Sequence, residues 1–207
     1  MVVKILNLFA GIGGNRTLWG EEHEITAVDN NSRIGFIYKK RFPDDIVIVA
    51  DAYFFLEKNY NEFDFIWASP PCETHSQMNM FPNIPPRLPD LRLYSIILFL
   101  RKWFKGNWIV ENVIPYYISL IKPTVKISRH YFWSNFPLKN KNFKRDPFIV
   151  FKDNLKKIAF EFQVDYDLIP SDLRRKVLRN MIDPKTGKYI LDSITKKDKI
   201  EDFTKWI

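Results

Sequence analysis

Five apolar runs before residue 114 each stop at a residue with a special conformational or chemical role, and no other feature of the chain limits its fold as much. Val2–Phe9 runs into Ala10–Gly14, Glu24–Val28 into Asp29, Ile46–Ala50 into Asp51, Phe63–Ala68 into Ser69-Pro70-Pro71-Cys72, and Trp108–Val110 into Glu111-Asn112. Short β-branched runs without polar alternation read as strands buried on both faces. Helical segments lie between them: Asn15–Glu22, a helix capped by Asn31 or Ser32 and running to about Phe42, Ala52–Asn59, and Asp90–Phe104, which is apolar almost all round and reads as well buried. Pro43-Asp44-Asp45 reads as a turn. Strand and helix in alternation predict a parallel sheet with helices on both faces. In such α/β sheets ligands bind outside the carboxyl ends of the strands. Acids and glycines also end strands for structural reasons alone, but five such ends in order point to a site.

The rest of the chain is less regular. Residues Glu73–Pro89 carry Pro82, Pro85, Pro86 and Pro89 and should be extended and irregular. Ser128–Phe136 is aromatic and strand-like. Pro137–Pro170 interleaves Lys139, Lys141, Lys144, Arg145, Lys152, Lys156 and Lys157 with Phe143, Phe148, Phe151, Phe160 and Phe162, and reads as a small strand-rich insert. Ser171–Asn180 and Thr186–Ile194 look helical around Asp183-Pro184, while Lys196–Ile207 is charged, with Trp206 as a docking residue. We therefore divide the chain into a core at 1–136, a basic segment at 137–170 and closing helices at 171–207. The net charge of +8 suits a polyanionic partner, although a lysine-rich solvated surface gives the same total. The longest apolar run, Leu93–Leu100, is too short to cross a membrane. A single cysteine and no visible signal peptide fit a cytoplasmic protein.

At the first strand end, Phe9-Ala10-Gly11-Ile12-Gly13-Gly14 stands between a strand and a helix, where glycines permit a tight turn and close ligand approach. The pattern suits a nicotinamide dinucleotide as well as S-adenosylmethionine, but it lacks the third spaced glycine of the dinucleotide fingerprint, and no Gly-Lys-Ser/Thr follows. Asp29 is placed to accept from ribose hydroxyls. Asp51 reads as a contact to an adenine amino group, as a helix N-cap, or as both.

Cys72, the only cysteine, sits behind two prolines that stiffen its approach. A lone cysteine is often an inert buried thiol; the polar loop and its companions favour a nucleophile. A zinc site built on Cys72 and His75 lacks a second Cys/His pair, and the two are too close on one loop to act as a protease dyad. Glu111 reads either as a site acid or as an acid that merely ends a strand.

Taken together, Asn7-Leu8-Phe9-Ala10-Gly11-Ile12-Gly13-Gly14, Asp29, Asp51, Ser69-Pro70-Pro71-Cys72, Glu111-Asn112-Val113 and Val177-Leu178-Arg179-Asn180-Met181-Ile182-Asp183-Pro184 resemble, in order, the motifs of the cytosine-C5 DNA methyltransferases. The compact length and Arg129-His130-Tyr131-Phe132-Trp133-Ser134-Asn135 resemble the small phage-type members. The resemblance implies a Rossmann-like S-adenosylmethionine-dependent methyltransferase sheet with a reduced target-recognition insert. It implies S-adenosyl-L-methionine as cofactor and DNA as partner, with no metal, acting as a monomer. It makes Cys72 the nucleophile for carbon 6 of a flipped cytosine, Glu111 the group that holds the ring, and Arg129 a cation near the base. It assigns Phe9, Ala10, Gly11, Gly13, Gly14, Asp29, Asp51, Pro70 and Asn180 to the cofactor.

The chain departs from the family in three places. The Gln-x-Arg-x-Arg spacing is not intact around Arg129, Asp29 replaces a more usual glutamate, and the target-recognition segment is short. A segment this small predicts short or relaxed sequence specificity, with Gln77, Lys139, Lys141, Lys144 and Arg145 as nucleic-acid contacts. Met78, Met80 and Phe81 share the Gln77 loop, as candidates to fill the gap left by a flipped base or simply to pack the loop down. An RNA-directed enzyme of the same chemistry, as in the tRNA-methylating branch, and a non-catalytic nucleic-acid-binding protein remain as alternatives. The Cys-Phe-Thr element of the tRNA branch is not evident.

Overall fold

The computed structural model describes residues 2–141, 143 and 154–195. A seven-stranded sheet forms its centre, with strands β1 Lys4–Leu8, β2 Glu24–Asp29, β3 Ile46–Val49, β4 Phe65–Ala68, β5 Asn107–Val113, β6 Val125–Ile127 and β7 His130–Ser134. Their spatial order is β3-β2-β1-β4-β5-β7-β6. The first five are parallel neighbours. β7 pairs antiparallel with both β5 and β6, so it alone runs against the rest.

The parallel sheet expected from the strand–helix alternation is present in β1–β5, and the hairpin of β6 and β7 adds one antiparallel strand to it. β6 and β7 are joined by only Ser128 and Arg129, and Ser128 takes a left-handed φ of 53°. A two-residue connection makes a hairpin and cannot make a parallel crossover. The single strand read at Ser128–Phe136 is therefore the second arm of that hairpin, and its first arm, Val125–Ile127, went unread.

Helices α1 Ser32–Arg41, α2 Ala52–Asn59, α3 Arg92–Trp103, α4 Leu155–Glu161, α5 Ser171–Asn180 and α6 Pro184–Thr195 complete the described residues. Two caps act as the sequence predicts. Asn31 accepts from the backbone N–H of Arg33 and Ile34, and Asp51 accepts from Tyr53 and Phe54. The segment read as a helix at Asn15–Glu22 is only a 3-10 turn at Asn15–Leu18.

Alternation along the strands divides the core in two. Leu6, Leu8, Ile66, Ala68, Trp108 and Val110 face α2 and α3, whereas Ile5, Ile25, Phe65, Trp67 and Ile109 face Trp19 and α6. A third cluster joins Ile34 and Ile37 of α1 to α4 and α5.

Two further readings change. α3 is buried on one side only, since Leu98 and Trp103 are 58% and 55% exposed. Among the described residues the 137–170 segment holds a helix, α4, and no strand. Leu155, Ile158, Ala159 and Phe162 recur at the helical period and pack against α5, while Phe160 points to solvent. Phe148, Phe151 and Lys152, like Lys196–Ile207 with Trp206, lie outside the described residues.

Candidate active site

The carboxyl ends of the five parallel strands form one edge of the sheet. At the end of β1 the chain enters the left-handed region three times, at Phe9, Gly11 and Gly13 (φ 55°, 56° and 77°). Phe9 adopts this conformation without being glycine, a local strain of about 1 kcal/mol or more, and its ring packs edge-on against Tyr53 at 5.0 Å. Ala10 is buried, with its N–H on the Val28 carbonyl.

The glycines divide by what surrounds them. A Cβ on Gly11 would meet nothing within 4 Å; one on Gly13 would strike the Tyr38 and Phe42 rings, and one on Gly14 the Ile182 backbone. Only Gly11 faces open space, so Gly13 and Gly14 serve packing, a difference that sequence does not reveal. Asp29 at the end of β2 accepts from the N–H of Gly11 at 3.0 Å and of Asn31 at 3.0 Å, which ties the β1 turn to β2. Each of its oxygens keeps a second lone pair. Asp51 uses only Oδ1 for its cap and is exposed.

The next two strand ends carry the thiol and Glu111. Pro70 is buried, and its carbonyl accepts from Asn112 Nδ2 of β5 at 2.9 Å. Asn112, itself 1% exposed, therefore clamps the Cys72 loop to the neighbouring strand; sequence showed it within a motif but gave it no role. The N–H groups of His75 and Ser76 both donate to the Cys72 carbonyl, which coils the chain just after the thiol. Burial, followed by the charge of Glu111, pushes the thiol pKa up to about 11, against the opposing pull of a backbone hydrogen bond and of Arg129. Glu111 is 6% exposed, and burial lifts its carboxyl to about 7 despite a Ser69 hydrogen bond and the Arg129 charge. His130 Nε2 lies 3.7 Å from Glu111 Oε1, on the adjacent β7. Ser69 and His130 are site neighbours that sequence reading missed; both follow from strand register, which motif spacing does not supply.

Arg129 stands in the β6–β7 turn, exposed, and donates through Nη2 to the Arg179 carbonyl of α5 at 2.8 Å. Asn180, the exposed last residue of α5, precedes Met181 and Ile182, which pack on Gly14. The closing segment therefore does return to the glycine turn. Gln77 is exposed in a 3-10 turn at Gln77–Met80, five residues after Cys72.

Lys139 and Lys141 are not brought to this edge. β7 runs downward and delivers the chain to the amino edge, where the Lys139 N–H and carbonyl both meet Tyr189 Oη and the Lys141 ammonium lies 4.2 Å from the Tyr189 ring centre. Lys144 and Arg145 lie outside the described residues. A cavity of about 620 Å³, lined by Lys4, Arg16, His23, Arg41 and Asp45 among others, also opens at the amino edge, away from Cys72. Among the described residues no group of three His, Cys, Asp or Glu could hold a metal, and no helix is long and apolar enough to cross a membrane.

With this geometry in place, comparison with known proteins is informative. Residues 3–80 match the family of C-5 cytosine-specific DNA methylases. The matched stretch runs from β1 through the glycine turn, Asp29, Asp51 and Cys72, so it contains the strand ends described above up to the thiol loop. The sheet order agrees with the Rossmann-like α/β fold of S-adenosylmethionine-dependent methyltransferases, and the family match implies S-adenosyl-L-methionine as cofactor. Solved structures similar to this chain include a mutant DNMT2 from Spodoptera frugiperda, at 24% identity over 70% of this chain and 55% of that one (TM-score 0.44). A methyltransferase from Entamoeba histolytica, EhMeth, is 18% identical over 84% and 64% of the respective chains (TM-score 0.44). A methyltransferase from Agrobacterium tumefaciens is 16% identical over 60% and 41% (TM-score 0.42). The chain thus spans about half the length of two of these structures, 55% of the insect protein and 41% of the bacterial one. No curated protein matches it.

Proposed function

We propose that the protein transfers a methyl group from S-adenosyl-L-methionine to carbon 5 of cytosine in DNA through a covalent Cys72 adduct. The observation that carries this reading is the placement of Cys72 and Glu111 on the adjacent ends of β4 and β5, electrostatically coupled and joined by the Asn112–Pro70 hydrogen bond. The family match supports a DNA substrate.

The residues fit the cofactor. Gly11 leaves an open approach to the backbone, Asp29 has lone pairs to spare beside it, and the free oxygen of Asp51 stands one strand further on. In this reading Phe9, Ala10, Pro70 and Asn180 would also hold the cofactor. When bound, S-adenosyl-L-methionine supplies the electrophilic methyl group.

The chain's own residues prepare the base. The Cys72 sulfur adds to carbon 6 of the ring, the 5,6 double bond opens, and carbon 5 becomes enamine-like; after methylation a base takes the carbon-5 proton and the sulfur leaves. In the free protein the thiol is protonated at neutral pH, because its pKa stands near 11, so its proton passes to solvent before the sulfur adds. Glu111, near 7, can carry a proton at neutral pH and donate it to ring nitrogen 3 as the sulfur adds. Proton transfer from Glu111 to nitrogen 3 leaves the ring neutral and Glu111 a carboxylate, so the negative charge that the thiolate brings ends on Glu111, and the two groups act as a pair. Arg129 supplies positive charge next to both. The target base must leave a duplex to reach this buried pair.

Residues 1–136 with 171–207 form the catalytic unit in this reading, and Gln77 with residues 144–170 of the basic segment makes the contacts that select the target, with short or relaxed specificity; Lys139 and Lys141, at the amino edge, are not among them. Transfer of labelled methyl to double-stranded DNA, single-stranded DNA and tRNA, compared side by side with Cys72→Ser as control, tests the proposal. Transfer to tRNA alone would replace DNA with RNA, and no transfer to any of the three by folded protein would refute the enzyme.

A further inference from the structure

Beside the Cys72 loop lies a partly buried polar network that the proposed mechanism does not use. His75 is 1% exposed. Its Nδ1 is 2.6 Å from Tyr117 Oη, in the loop after β5. Tyr117 in turn accepts from Tyr94 Oη of α3 at 3.3 Å, and Tyr94 Oη also reaches Ser119 Oγ at 3.4 Å and accepts from the Leu120 N–H at 3.3 Å. Backbone contacts run in parallel: the Tyr116 N–H donates to the His75 carbonyl at 3.0 Å, and Ser76 bridges Pro115. Tyr94 belongs to the core packed on the sheet and meets Trp133 edge-on. The network therefore joins two irregular loops to a rigid helix.

Its first member is tied to the thiol. The His75 N–H donates to the Cys72 carbonyl, and Asn112 fixes the other side of the same loop through Pro70. The apolar side chains of the loop give it little packing: Met78, Met80, Phe81 and Leu88 are all more than half exposed. A thiol placed to within about 0.5 Å needs support that the exposed part of the loop does not give.

We propose that His75 and Tyr117 are positioning residues for Cys72, anchoring the thiol loop to α3 through the His75–Tyr117–Tyr94 hydrogen bonds. The inference deepens the function proposed above and rests on it only for the kinetic half of its test. Whichever of the two groups carries the shared proton, the interaction uses Nδ1, because Nε2 is buried and has no hydrogen-bond partner among the described residues. Packing of the ring alone would not distinguish the two nitrogens.

That distinction makes the experiment. His75→Asn puts an amide atom near the place of Nδ1, whereas His75→Gln reaches toward Nε2. Because Cys72 is the only cysteine, the rate of its alkylation by iodoacetamide reads the loop directly, with or without enzyme activity. Tyr117→Phe, which removes one oxygen and keeps the ring, should raise that rate about fivefold, the shift expected for one lost buried hydrogen bond, and His75→Gln should do the same. His75→Asn should stay near wild type. In methyl transfer, Tyr117→Phe and His75→Gln should lower kcat about tenfold through misplacement of the reacting atom, with the KM for S-adenosyl-L-methionine unchanged. Wild-type alkylation rates in Tyr117→Phe and His75→Gln would overturn the inference, as would equal rescue by asparagine and glutamine. A wild-type protein that alkylates as expected but transfers no methyl would refute the proposed function and leave the anchoring supported.

Discussion

The two halves of the carboxyl edge are built in opposite ways. On β1–β3 the key groups are open and already engaged by backbone: Asp29 holds two N–H groups, Asp51 caps a helix, and Gly11 borders empty space. On β4 and β5 Glu111 is buried and Cys72 half-buried, where charge is disfavoured, with the thiol lifted to about 11 and Glu111 to about 7. The first half is a preformed cradle, in which structural and binding roles coincide in the same residues. In the second, Glu111 is kept able to donate a proton, while the thiol is held away from its reactive thiolate until a substrate arrives. Desolvation disfavours the ionised form of both Cys72 and Glu111, and a cytosine placed between them would receive the Glu111 proton and compensate the charge that the sulfur brings.

This contrast yields predictions of graded size. Glu111→Gln should cause the largest change. Methyl transfer should drop by about a hundredfold or more, the usual range for a lost general acid. Removing its negative charge should at the same time lower the Cys72 pKa, so iodoacetamide at pH 8.5 should react faster with the mutant than with wild type. The same variant should be more stable at high pH. Glu111 has a folded-state pKa raised from 4.5 to about 7, so the folded protein holds this proton more tightly than the unfolded chain. Stability from this group is full below pH 4.5 and is lost as pH rises through 7. The difference amounts to on the order of 3 kcal/mol, at about 1.4 kcal/mol per pH unit. Thermal melts at pH 8 should therefore show Glu111→Gln above wild type, with the gap closing towards pH 4.5. A gap of constant size would mean that Glu111 is not buried as described.

Gly11→Val tests the open half. The left-handed φ is strained for valine whatever the space around it, and the new side chain would fill the approach to the backbone. Calorimetric affinity for S-adenosyl-L-methionine should fall at least tenfold, consistent with strain on the order of 1–2 kcal/mol plus the lost space. Cys72 alkylation should not change. Parallel loss of both would show that the halves are one unit.

How far sequence reached follows the same division. The parallel strands and their ends were legible because each buried run stops at a residue whose chemistry is visible by itself. Ala52–Asn59 and Ser171–Asn180 were read to the residue, since Asp51 and the helical periods mark them. What depends on register was not legible. The reversal of β7, the approach of His130 to Glu111, and the clamp from Asn112 to Pro70 arise from pairings between distant segments. Within the 137–170 segment the helix at Leu155–Glu161 was not legible, because its 3-4 spacing of Leu155, Ile158, Ala159 and Phe162 is overlaid by interleaved lysines and phenylalanines. Gly11, Gly13 and Gly14 looked equivalent in sequence, and only their neighbours separate them.

The smallest predicted effect is at Asp51. Asp51→Ala removes the cap of α2 at a cost of about 1 kcal/mol, a few degrees in a thermal melt. Asp51→Asn keeps the cap, so it should hold stability while weakening the cofactor if the free oxygen contacts it. Equal cofactor affinity in wild type and Asp51→Asn would assign Asp51 to the helix alone.

The central claim is that Cys72 forms a bond to carbon 6 of a cytosine. Incubation with S-adenosyl-L-methionine and DNA containing 5-fluorocytosine, which cannot release the carbon-5 substituent as a proton, tests it most directly. The account predicts a denaturation-resistant protein–DNA species whose cross-linked peptide contains Cys72 and which is absent in Cys72→Ser. Folded, cofactor-binding protein that gives no such species with the DNA, or gives it equally with Cys72→Ser, would contradict it.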